Sequence, residues 1–284
     1  MTQEGWPMSS PIVVGIDGSA HAWRALDWAA DYADRHRRPL LLVHGSRALL
    51  DEGTIPPDAL RRLIAEREDL LGEARQYALK LRPEINVETR LVPADPARAL
   101  VEESEHADLV AVGSRGQGGF EGLLFGSVGL YVAAHARCPV LVVPRAAPYP
   151  SGAPAEIVIG IEGLDDERTS VGWAFKEAAS RGSRILALHA VGGEFSPRRR
   201  VIEDLELSES LAGYRERYPD VAIDQLVSER TPARALVEAS ENAALVVVGA
   251  RRRRAPLAGM VLGRVNHTVL HHTRCPVVVV PDSD

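Results

Sequence analysis

The chain carries much of its own sequence twice, and an internal repeat constrains a fold more tightly than composition does. PARALVEESEHADLVAVGSR (96–115) aligns with PARALVEASENAALVVVGAR (232–251), with 15 of 20 positions identical. RCPVLVVPR (137–145) aligns with RCPVVVVPD (274–282), VVGID (13–17) with VIGIE (158–162), and His44 with His189. A length of 284 residues has room for two ordinary domains and little more. The expected division is a first domain over 8–145, a linker over 146–154 and a second domain over 155–284. PRAAPYPSGAPAE (144–156) holds four prolines, which favour an extended spacer.

The offset between copies is 145 at the first strand and at His44/His189, 136 at Pro96/Pro232 and 137 at Cys138/Cys275. The second copy has therefore lost nine residues between His189 and Pro232 and gained one between Arg251 and Gly259. The two cysteines occupy equivalent places, which reads as a small buried residue at a strand start and not as a redox pair.

Each copy alternates short apolar runs with helical patterns. In the first, strands are expected at 11–17, 40–44, 84–92, 108–113 and 139–143. Helices are expected after Ser19, over 58–82 (ended by Pro83), from Asp95 to about Ala107, and over 127–136. Ala22, Ala25, Leu26, Ala29, Ala30 and Ala33 recur at helical spacing and give the first helix an apolar face. Ser19 has the hydroxyl that an N-cap needs, and Pro96 suits a first helical turn. Strands that are continuous apolar runs fit a parallel sheet covered on both faces, so each copy is an α/β domain. Ligands of such sheets lie beyond the carboxyl ends of the strands.

The formal net charge of -6 argues against a general nucleic-acid binder, which needs a basic footprint. No apolar run approaches 18 residues, and the start of the chain does not read as a secretory signal. A cytoplasmic protein with free thiols and no membrane partner is the simplest expectation.

The unusual loop is VGSRGQGGFEGLLFGSV (112–128), with Gly113, two residues, Gly116, nine residues, then Gly126-Ser127. Glycines let backbone approach a ligand, and successive backbone N–H groups can cradle an anion. Ser127 starts a helix whose free N–H groups favour a phosphate. The loop is not a Walker A motif, because no Lys-Ser/Thr pair follows the glycines. Nor is it the dinucleotide fingerprint, whose glycines follow the first strand.

Taken together, VVGIDGS, LLLVHGS, DPARALVE, VGSRGQGGFEGLLFGSV and RCPVLVVPR resemble the universal stress protein family, in its tandem two-domain form. The resemblance implies Rossmann-like domains, each a five-stranded parallel sheet in order 3-2-1-4-5, that bind ATP, with Mg, through this loop. It implies that Asp17 contacts the adenosine part, with Gly18 and Ser19 beside it, and that the backbone at His44 and Gly45 recognises adenine. Gly113, Gly116, Gly126 and Ser127 would hold ribose and phosphates, and Arg115 would screen phosphate charge. Purely structural roles stay open: Asp17 and Ser127 as helix caps, and the His44 side chain as a fold element, since it recurs as His189. Where the family often has glycine before the Asp-Pro pair, this chain has Ala94. The family also pairs its fifth strands about a two-fold axis, which implies an intrachain pseudo-dimer and allows a further homodimer.

The second copy departs at the site. Its loop reads VGARRRRAPLAGMVLGRV (248–265). Gly249 and Gly263 remain, but Arg252 or Arg253 replaces the middle glycine and Arg264 replaces Ser127. Glu162 stands for Asp17, followed by Gly163-Leu164. Side chains then occupy places where backbone should meet phosphate, so this copy is expected to bind ATP poorly or not at all. Arg251–Arg254 would be a solvated face, an anion contact or a segment that fills the empty site itself. In the first copy the long connection 44–58 is a candidate lid.

No general base, nucleophile or two-carboxylate metal site accompanies the loop, so no catalytic or metal residue is assigned. The expected function is an ATP-binding stress regulator or sensor that acts on protein partners the sequence does not name. A slow ATPase or nucleotidyl-transfer enzyme and a nucleotide-free scaffold are the competing expectations.

Overall fold

The computed structural model describes residues 10–50, 55–116, 126–145, 147, 156–161, 169–194, 196–250, 252–255 and 259–281, with backbone alone over 252–255 and 259–261. The candidate loop's middle (117–125), most of the linker, Glu162, Gly163, Leu164 and Arg251 lie outside the described residues. The chain divides into two compact units, Met1–Arg145 and Ala146–Asp284.

The first unit runs β1 (Ile12–Gly15), α1 (Ala20–His36), β2 (Leu40–Gly45), a 3-10 turn (Arg47–Leu50), α2 (Pro57–Leu81), β3 (Val87–Val92), α3 (Pro96–Glu103), β4 (Leu109–Gly113), α4 (Ser127–His135) and β5 (Val140–Val143). Its strands are parallel in the order β3-β2-β1-β4-β5. Ile12, Val13, Leu40, Leu42, Leu109 and Val143 are fully buried, as a sheet covered on both faces requires. β3 breaks the expected apolar pattern, for Glu88, Thr89 and Arg90 are exposed. It lies at the sheet edge, where polar residues oppose unwanted pairing.

Ser19 caps α1, its Oγ accepting from the Ala22 N–H at 3.1 Å. The helix ends at Arg37, which takes up the left-handed conformation at φ 51°. The expected apolar face is buried, and so is Trp28 at 1% exposure. Truncating a buried tryptophan to alanine costs about 3–5 kcal/mol. α1 packs with α2, and α3 packs with α4. Right-handed crossovers place these pairs on opposite faces of the sheet. Just past α2, Arg82 pairs with Asp31 of α1 at 2.8 Å and with Asp34 at 3.3 Å, which fixes the two helices together. Asp95 caps α3 through the Ala97 and Arg98 N–H groups, and the helix stops at Glu103, short of Ala107.

The second unit repeats the plan: β6 (Glu156–Ile161), α5 (Thr169–Arg181), β7 (Ile185–Ala190), α6 (Pro197–Ser210), α7 (Ala212–Arg217), β8 (Ile223–Ser228), α8 (Pro232–Ala239), β9 (Ala243–Ala250), β10 (Arg252–Ala255), β11 (Gly259–Leu262), α9 (Arg264–His272) and β12 (Val277–Pro281). The sheet order is β8-β7-β6-β9-β12, the same 3-2-1-4-5 arrangement. Five of the nine deleted residues come from the connection after β7. The other four come from the helix, which breaks at the buried Leu211 into α6 and α7. The arginine-rich stretch is not a plain loop. Arg252–Ala255 pairs antiparallel with Gly259–Leu262 as a hairpin.

Cys138 and Cys275 form no disulfide and are buried at equivalent turns before β5 and β12. Burial pushes the Cys275 thiol up to about 12, which keeps it an unreactive core residue. No described helix is long and apolar enough to cross a membrane.

Candidate functional site at the ends of β1 and β4

Because β1 and β4 are neighbours in the first unit, the loops after them meet. The turn after β1 passes through Gly18 at φ 82°, a backbone conformation that favours glycine. It then enters α1 at Ser19. Asp17 Oδ1 accepts from the Ser19 N–H at 2.9 Å, and Ser19 Oγ donates to the Arg115 carbonyl at 3.3 Å. The first hydrogen bond is local to the turn. The second ties the turn to the loop that follows β4.

The three described glycines of the loop, Gly113, Gly116 and Gly126, make different contacts. A methyl group on Gly113 would lie 2.6 Å from the backbone carbonyl carbon of His21 and 2.9 Å from the Ala22 nitrogen. Gly113 thus lets α1 close over the end of β4. A methyl group on Gly116 would lie 2.5 Å from Asp17 Oδ2, so that carboxylate sits directly on the loop. Gly126 returns the chain to the start of the loop, its N–H donating to the Ser114 carbonyl at 2.8 Å. A methyl group there would come within 3.3 Å of Arg115 Cα.

Gly126 is the N-cap of α4, and Ser127 is its first helical residue, so Ser127 is not the cap. Among the described residues no side chain caps this helix, so its first N–H groups and the positive end of the helix dipole lie beside the loop.

His44 and Gly45 stand one strand away, at the end of β2. His44 Nδ1 donates to the Ile16 carbonyl at 2.6 Å, and His189 Nδ1 repeats the bond to Ile161 at 2.9 Å. The side chain thus joins the second strand to the first in both units. Burial holds the His44 pKa below its ordinary value against the opposing pull of the Ile16 bond. Gly45 packs on α3, where a methyl group would meet Pro96 Cα at 2.6 Å. Arg47, in the candidate lid, pairs with Asp95 at 2.8 Å. Residues 51–54 of that segment lie outside the described residues.

Sequence reasoning missed His21 and Arg145. Burial and then the Arg115 and Arg145 guanidiniums push the His21 pKa down, while Asp17 pulls it up. These four residues therefore share one electrostatic environment. Only the sheet order could have revealed this, because Arg145 lies beyond β5 in the sequence.

The second unit keeps the frame and changes the contents. Gly249 remains at the end of β9, and its carbonyl accepts from Asn266 Nδ2 at 2.8 Å. Gly263 caps α9, which opens with Arg264 where the first unit has Ser127. A cavity of about 720 Å³ lies beyond the ends of β7 and β8, among Arg200, Ser228, Arg230 and Arg234. Its arginines are engaged, with Arg230 and Arg234 on Glu238 and Arg200 on the Val227 carbonyl.

The sequence model of the universal stress protein family matches residues 8–144 and again 155–281. A universal stress protein of Mycobacterium tuberculosis is 37% identical over 290 residues, covering 96% of each chain. One from Mycolicibacterium smegmatis is 32% identical over 283 residues, covering 95% of this chain and 96% of its own. The crystal structure of a universal stress protein from Archaeoglobus fulgidus matches with a TM-score of 0.72 at 17% identity, covering 98% of this chain and all of the other. That likeness supports the fold alone. With the family's pattern present in each half, the chain belongs to the universal stress protein family as a tandem two-domain member.

Proposed function

We propose that this chain is an adenine-nucleotide-binding stress protein whose first unit holds the nucleotide, with ATP as its ligand. The observation that carries the proposal is the contact between the Asp17 carboxylate and Gly116 beside the uncapped start of α4. One crevice thus offers an acceptor for ribose hydroxyls and donors for phosphate. Backbone N–H groups of α4 would bind the phosphates, and Arg115 would offset their charge. Asp17, Gly18 and Ser19 would hold the sugar, and the β2 end at His44 and Gly45 would hold the base. Magnesium would arrive on the triphosphate.

The residues fit such a ligand, since Gly113 and Gly126 let backbone segments approach closely and Gly116 leaves room for the Asp17 carboxylate. Binding is the assigned task, and nucleotide occupancy would stabilise the loop and alter a surface that partners read. The proposed location is the cytoplasm.

Mass spectrometry of small molecules released from the purified chain tests this reading, with an adenine nucleotide as the expected species. Saturating ATP should also raise the melting temperature, because ligand at 100 times its dissociation constant adds about 2.7 kcal/mol. No released nucleotide together with no shift at millimolar ATP would overturn it.

A further inference from the structure

The helix over the second strand carries opposite charges in the two units at one equivalent position. Arg67 lies four residues before Leu71 on α2, and Glu203 lies four residues before Leu207 on α6. Leu71 and Leu207 are both buried, which fixes the equivalence. In the second unit Glu203 Oε2 sits 3.2 Å from His189 Nε2, and its other oxygen accepts from Arg199 Nε at 3.2 Å. The place beside the histidine is thus filled by the protein itself.

In the first unit the equivalent residue is Arg67. Its charge reaches His44 and opposes protonation of that ring. The Nε of Arg67 is buried and has no hydrogen-bond partner among the described residues. A buried N–H left unpaired is costly, and a guanidinium can only donate.

We propose that Arg67 is a specificity-determining residue of the first unit's nucleotide site, donating to an acceptor atom on the base, and that Glu203 closes the matching place in the second unit. The proposal rests on the nucleotide reading given above. β2 and β4 flank β1, so their ends stand about 10 Å apart at normal strand spacing. With phosphates at the start of α4 beside β4, the base end of the ligand falls near β2. Arg67, whose charge reaches His44 at the end of β2, is assigned to that end of the ligand. An acidic side chain at this position accepts hydrogen bonds and repels an anionic ligand, which gives the second unit a further reason to stay empty besides its arginine-rich loop.

Calorimetric titration of the intact chain with ATP and with AMP tests the assignment, using wild type, Arg67→Gln and Arg67→Glu. Arg67→Gln should weaken both nucleotides by the same factor, about 10- to 100-fold. Arg67→Glu should weaken both further. Melting temperatures of the unliganded variants should stay near wild type, since no bond within the protein is lost. Arg67→Lys, which keeps the charge and a donor, should recover part of the affinity and serves as the second variant should Arg67→Glu fold poorly. Native affinity in Arg67→Gln overturns the proposal alone. A loss much larger for ATP than for AMP also overturns it, by placing the contact on the outer phosphates. No uptake of either nucleotide by wild type overturns the nucleotide reading and this proposal together.

Discussion

Asp17 and Gly116 are nearly 100 residues apart in sequence, yet a single methyl group on the glycine would reach to 2.5 Å from the Asp17 carboxylate. The atom in the way is the end of a short side chain, so Gly116→Ala displaces the carboxylate without breaking the core. The expected result is a nucleotide affinity at least about tenfold weaker with an almost unchanged unfolding midpoint. Gly113→Ala should behave differently, because its methyl group meets the backbone of α1 at 2.6 Å. Overpacking of that kind costs about 1–3 kcal/mol. Urea denaturation alongside titration separates the two variants, and equal stability loss in both would contradict the assignment.

Ser19 serves the fold and the site together. Its hydroxyl caps α1 and also donates to the Arg115 carbonyl. Ser19→Ala should cost about 1 kcal/mol through the lost cap, and Ser19→Asn should recover most of that. Chemical denaturation of both variants checks the expectation.

His44 links stability to pH. Its folded pKa lies below its ordinary value because burial opposes the charged ring. The unfolded chain therefore binds a proton more readily than the folded one does. The contribution is complete above the unfolded value of about 6.5 and is lost as pH falls through the lower folded value. Histidine NMR titration should show the His44 ring still neutral where an exposed histidine is half protonated. Replacing His44 with Gln should flatten the stability profile in that window. A His44 midpoint at or above 6.5 would contradict the prediction.

The repeat made the two-unit plan and the strand sequence legible without coordinates, because apolar runs, Ser19, Pro96 and Pro83 mark their elements locally. The expected sheet order also holds, although it came from family resemblance and not from strand composition. What the residues did not disclose depends on contacts between distant segments. His21 and Arg145 join the crevice only because β1, β4 and β5 are adjacent. Arg67 becomes notable only when its buried Nε is compared with the Glu203–His189 pair. The β10–β11 hairpin was hidden because a run of arginines carries no alternating apolar signal. The break between α6 and α7 falls at Leu211, a good helix former that packs fully buried, and the weak helix former Gly213 two residues on is its one local sign.

The central claim is an asymmetry, with one nucleotide site in two copies of one fold. Calorimetric titration of the intact chain with ATP and magnesium tests it most directly. The account predicts one nucleotide per chain, with Gly116→Ala weakening that single event. Two nucleotides per chain, or one that Gly116→Ala leaves untouched, would contradict it.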